Sequence, residues 1–154
     1  MITKKVNRYY CEFCKKAGQS AMHISGHEKS CTMNPNRVCN MCKMTPGPKP
    51  QKPMTELFPL MPKVDPGFWN TWGSFDGSLL LEMKAVVDAI TKALPALRDA
   101  CGDCPACILA TLRQSGIRVP LITSFNFTKE VQFLWDCINE NKEESRYASA
   151  YSYA

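Results

Sequence analysis

Nine cysteines in a chain of 154 residues constrain this sequence more than any other feature. Most fall in C-x-x-C steps: Cys11/Cys14, Cys39/Cys42 and the overlapping Cys101/Cys104/Cys107. Two thiolates separated by two residues grip one ion from a tight turn. In a reducing compartment such pairs are metal ligands before they are disulfides. No charged-then-apolar run opens the chain as a secretory signal would. No stretch approaches the roughly 18 uninterrupted apolar residues of a membrane-spanning helix. The expectation is a soluble, intracellular (cytoplasmic) protein whose fold leans on metal. With 45% apolar residues it can bury a core of its own, though at this length not a large one.

The first site is the best defined. From Cys11 to Cys31 the chain runs C-x-x-C, twelve residues, His27, three residues, Cys31. Side chains four apart on a helix project in one direction, so His27 and Cys31 can close what the Cys11/Cys14 knuckle opens. The expected ligands are Cys11, Cys14, His27 and Cys31. The chain has two histidines; the other, His23, lies one turn earlier, as an exposed side chain or a substitute ligand.

Residues 11–31 resemble a zinc finger with CCHC ligands, and the resemblance implies a small ββα unit. The large aromatic that usually follows the second cysteine is replaced by Gly18, while the core aliphatic is present as Ile24. The implied miniature core is therefore thin. In the family's register the base-reading positions fall on Ser20, His23 and Gly26, of which His23 alone offers a strong contact. A single finger buries too little surface to select a long DNA site, so a structural or protein-binding finger is favoured over a sequence-specific one.

Cys39/Cys42 and Cys104/Cys107 supply a second, four-thiolate zinc site, with Cys101 as a substitute ligand. Cys104 and Cys107 are preferred because a helix beginning at Pro105 would stabilise thiolate charge. An iron–sulfur cluster is the alternative occupant; the finger-like first site favours zinc for both, two ions per chain. Cys137, on the apolar face of the last helix, reads as a small buried hydrophobe.

Seven of the eleven prolines lie within residues 43–66, which excludes a continuous helix or central strand there. Leu57, Phe58, Leu60 and Met61 point to a connector docked on the rest of the protein. Beyond it, Leu79, Leu80, Met83, Val86, Val87, Ile90, Leu94 and Leu97 recur at helical spacing after an N-cap at Asp76, and Pro95 is expected to kink or end that helix near Ala93. A second helix starts at Cys104-Pro105 and stops at Ser115-Gly116. Residues 117–125 are expected to be extended. Thr128 opens a final helix with Val131, Leu134, Trp135 and Ile138 on one face. The fold class is α+β, mostly α: a basic finger module (1–42), a Pro-rich connector (43–66), a compact helical domain (67–146) and a loose tail (147–154).

The net charge of +5 is uneven. Residues 1–42 contain seven bases against Glu12 and Glu28, whereas residues 67–154 carry a net −2. The basic front would meet any polyanion. Lys4, Lys5, Arg8, Lys15, Lys16, His23, Lys29 and Arg37 are the candidate nucleic-acid contacts, with Tyr9, Tyr10 and Phe13 available for stacking. An acidic protein surface is the other partner for the same face. A protein–protein adaptor using Trp69, Trp72, the neighbouring connector and the helical domain is the alternative function.

The enzymatic rival is a metal-dependent nuclease of the HNH type, which Cys11/Cys14, His23, Asn34 or Asn36, and Cys39/Cys42 faintly resemble. Too few residues separate Cys14 from His23, Lys43 stands where a second histidine is needed, and His27 and Cys31 would be stranded. No catalytic triad order, P-loop or dinucleotide fingerprint is present, so a non-enzymatic binding protein is expected. The finger followed by Asn34-Pro35-Asn36-Arg37-Val38-Cys39 and Cys42 also resembles small bacteriophage and prophage zinc-binding proteins. That resemblance implies a host-interaction or nucleic-acid-associated role, in the host cytoplasm.

Overall fold

The short front of the chain carries its two strands and a helix in close succession. In the computed structural model, which describes residues 1, 5–44, 51–71 and 77–151, β1 (Tyr9–Tyr10) pairs antiparallel with β2 (Ala17–Gly18), Tyr9 opposite Gly18 and Tyr10 opposite Ala17. Helix α1 (Ala21–Ser30) follows at once, because Ser20 is extended and its hydroxyl accepts from the His23 amide. Only Ile24 of α1 is buried, together with Cys11 and Cys31. A Cβ on Gly18 would lie 2.9 Å from Ile24 Cδ1. Glycine where the finger family carries an aromatic thus lets Ile24 sit directly on the hairpin backbone.

After α2 (Asn40–Met44) the connector docks on the helical core. It forms α3 (Met54–Leu57) and a 3-10 turn at Phe58–Leu60, burying Met54, Leu57, Met61 and Val64. Another 3-10 segment, Pro66–Thr71, delivers Trp69 into the same core. There its indole Nε1–H donates to the Gly116 carbonyl at 2.6 Å. Trp69, expected to be a partner anchor, is instead 4% exposed and part of the interior.

The rest is helical: α4 (Gly77–Cys101), α5 (Pro105–Gln114) and α6 (Phe127–Tyr151). Met83, Ile90, Leu94 and Leu97 of α4 are buried as their spacing predicts, whereas Leu80 is 62% exposed. Pro95 neither ends the helix nor stops it at Ala93. Leu94 and Leu97 flank it in the interior, 2% and 0% exposed, and their burial offsets the missing amide. Helix α5 starts with Pro105 at its first position and is buried from Cys107 through Leu112. It ends at Ser115, and Gly116 turns the chain at φ +77°.

Two local expectations are corrected. Residues 117–125 are not simply extended: Val119–Leu121 form a 3-10 turn. Pro120 fits because a first-turn residue needs no amide donor. The tail expected from residue 147 continues α6 to Tyr151, since alanines without Gly or Pro propagate a helix. Asn126 caps α6 by accepting from the Lys129 amide at 3.1 Å. Arg98 of α4 grips Glu130 of α6 through two contacts, 2.5 and 3.1 Å. The expected N-cap Asp76 lies outside the described residues, as do Lys4 and Trp72. Among the described residues the architecture is mostly helical with one two-stranded sheet, and no helix there is long and apolar enough to cross a membrane.

Candidate metal centres

The first cluster is assembled by the hairpin and α1. The knuckle turns tightly: the Cys11 amide donates to Lys16 O at 2.9 Å, the Lys15 amide to Cys11 O at 3.0 Å, and Lys15 adopts φ 61°. The Glu12 amide donates to the Glu28 carboxylate at 2.9 Å, clasping knuckle to helix. Cys14 Sγ lies 3.2 Å from His27 Nε2. The ligand atoms of Cys11, Cys14, His27 and Cys31 all lie within 4.8 Å of one another. Cys11 and Cys31 are buried and Cys14 is exposed, so the cluster sits at the edge of the unit formed by the hairpin and α1. His23 is exposed and outside the cluster.

The second cluster joins parts of the chain 65 residues apart. Cys39 Sγ is 3.6 Å from Cys104 Sγ, and Cys42 Sγ is 3.5 Å from Cys107 Sγ. Four thiolates on a tetrahedral zinc at about 2.3 Å are about 3.8 Å apart, so the donor set and its spacing fit that ion. Cys104 caps α5 and Cys107 lies in its first turn, where the helix dipole favours negative sulfur. Cys101 is not in the set: it ends α4, and the Gly102-Asp103 turn, with φ 58° and 55°, separates it from Cys104. Cys137 is only half-buried.

Burial makes some of the cysteine thiols reluctant to ionise while protons rather than metal occupy them. It pushes the Cys31 thiol up to about 11 and those of Cys42 and Cys101 up to about 12. Cys39 is the opposite case, held far below the ordinary thiol range by hydrogen bonds from Cys104 and Cys107. A metal ion entering the second site therefore finds Cys39 prepared as a thiolate and must displace protons from Cys42 and Cys107, whose thiols are pushed up.

The surroundings of the second site were only partly foreseeable. Arg37, expected among the surface phosphate contacts, is 5% exposed, and its Nη1 donates to Cys107 Sγ at 3.6 Å. A cation inside a basic segment reads as solvated, but α5 closes over this one. Gln51 was missed altogether, because nothing in its Pro-rich neighbourhood marks it. Its side-chain amide donates to Arg37 O at 2.7 Å and accepts from the Cys39 amide.

The segment between the two clusters is equally tied. Asn34 Nδ2 donates to Glu28 O at 2.7 Å, and Asn34 Oδ1 accepts from the Asn36 amide at 2.8 Å. Gln114 of α5 donates to Thr32 O at 2.7 Å and Asn34 O at 3.1 Å, and Arg113 reaches Thr32 Oγ1 at 3.0 Å. The two clusters, one of three cysteines and a histidine and one of four cysteines, are each able to hold a zinc ion, two per chain. Comparison with protein-family models, with curated proteins and with solved structures gives no match.

Proposed function

We propose that this protein is a zinc-stabilised, non-enzymatic binding protein that meets nucleic acid through the basic face of its finger. The observation that carries the reading is the company its cations keep. Lys5, Arg8, Lys15, Lys16 and Lys29 are all exposed. The same hairpin exposes Tyr9, Tyr10 and Phe13 at 38%, 56% and 37%. Cations beside open aromatic faces suit a backbone held by charge and unpaired bases held by stacking.

Helix α1 is a poor groove reader by comparison. Ser20 is committed to capping and Gly26 has no side chain, which leaves His23. The nuclease alternative is weakened by the sorting of its expected braces, since Cys11/Cys14 and Cys39/Cys42 belong to different clusters. Asn34, its other candidate, has its side chain engaged with backbone groups. For the adaptor alternative, α6 of the helical domain offers Phe133 and Trp135, 71% and 38% exposed.

The test is fluorescence anisotropy with labelled single-stranded and duplex oligonucleotides across a salt series. Five phosphate contacts on a single strand give a log–log slope of about −3.5, so affinity should fall about a hundredfold between 50 and 200 mM salt. A flat salt response overturns the proposal. Preference for duplex would keep the charge argument and remove the stacking one.

A further inference from the structure

Four thiolates around a divalent zinc leave a net double negative charge in the interior, and a buried charge is tolerated only when it is paired. Arg37, from the segment that joins the two clusters, brings its guanidinium into contact with the second cluster. Its side chain is buried, its Nη1 lies on Cys107 Sγ, and its Nε finds no acceptor among the described residues. A guanidinium left with an unmet buried donor is costly in an apolar interior; beside anionic sulfur the same placement is favourable. Its backbone is fixed from both sides. The Arg37 amide donates to Asn34 O at 3.2 Å, and the Arg37 carbonyl accepts from Gln51 Nε2. Gln51 also receives the Cys39 amide, so one side chain holds both the arginine and a ligand.

We propose that Arg37, anchored by Gln51, is the counter-charge of the four-thiolate centre: a positioning residue that neutralises part of the cluster's charge and slows loss of its metal. It does not ligate. It lowers the energy of the metal-bound, fully deprotonated state by a charge-assisted contact to Cys107. The proposal rests on the metal assignment of the second site, and it removes Arg37 from the cations available to an external polyanion.

The test is a chelator challenge of the full-length zinc protein, with released thiols trapped by an alkylating agent and located by peptide mass spectrometry. Arg37→Gln, which keeps a polar group without charge, should expose Cys104 and Cys107 roughly tenfold faster. Arg37→Lys, which restores the charge, should recover most of the original rate. Labelling of Cys11 and Cys14 should not change in either. Equal rates in the Gln and Lys variants overturn the proposal, because a packing role alone treats them alike. Should Arg37→Gln not fold, Gln51→Ala carries the test: it leaves the charge and loosens its anchor, so faster exposure of the same two cysteines is expected and an unchanged rate overturns the idea. If Cys104 and Cys107 of the unsubstituted protein are labelled before any chelator is added, the metal assignment itself fails, a result distinct from the others.

Discussion

Single residues set how closely the pieces of this chain can approach one another, and Gly116 is the sharpest instance. It turns the chain after α5 at φ +77°, and a Cβ there would lie 2.0 Å from the Val64 carbonyl oxygen. Backbone rather than a movable side chain blocks the space, and the left-handed conformation adds its own strain. Gly116→Ala should therefore destabilise the protein by at least about 1–3 kcal/mol in denaturant unfolding, loosening the connector's contact between the Val64 amide and Ser115 O. An unchanged midpoint would mean that the connector does not dock there. Stop signals such as Ser115-Gly116 are legible from sequence because the steric reason is local. The fate of Arg37 is not local: its burial depends on Cys107, 70 residues away. The expected ligand residues of both clusters lie in the local C-x-x-C and His-x-x-x-Cys spacings, but the pairing of Cys39/Cys42 with Cys104/Cys107 was an inference about distant segments.

Among the elements, helices with a long apolar period are legible in the sequence, and the departures from local expectation share one cause. Pro95, residues 117–125 and the tail were each judged by local propensity, whereas packing or simple continuation decided the outcome. Leu94 and Leu97 hold α4 across its proline, and α6 runs on through a segment with nothing to stop it. Contacts between elements left no sequence trace either. The clasp of Gln114 on Thr32 O and Asn34 O joins α5 to the segment between the clusters, yet a glutamine in a helix announces nothing. Removing it strands two partly buried carbonyls. Gln114→Ala is expected to cost roughly 1–3 kcal/mol in thermal unfolding while the zinc content stays the same. A loss of zinc without a loss of stability would show that the clasp serves the metal sites rather than the packing.

At the scale of the whole molecule, two different devices hold the shape. The helical body has an ordinary apolar interior built on Leu57, Ile90, Leu97, Ile108 and Leu112, all fully buried. The hairpin and α1 have almost none: Ile24 is the one aliphatic side chain in their buried cluster, with Cys11 and Cys31. An ion held by Cys11, Cys14, His27 and Cys31 would make up for that small buried area, and one held by Cys39, Cys42, Cys104 and Cys107 would pin the following segment to α5. Elemental analysis of protein purified without added metal tests the central claim most directly. Two zinc ions per folded chain is the predicted result; folded protein carrying no metal, or iron in place of zinc, would contradict it.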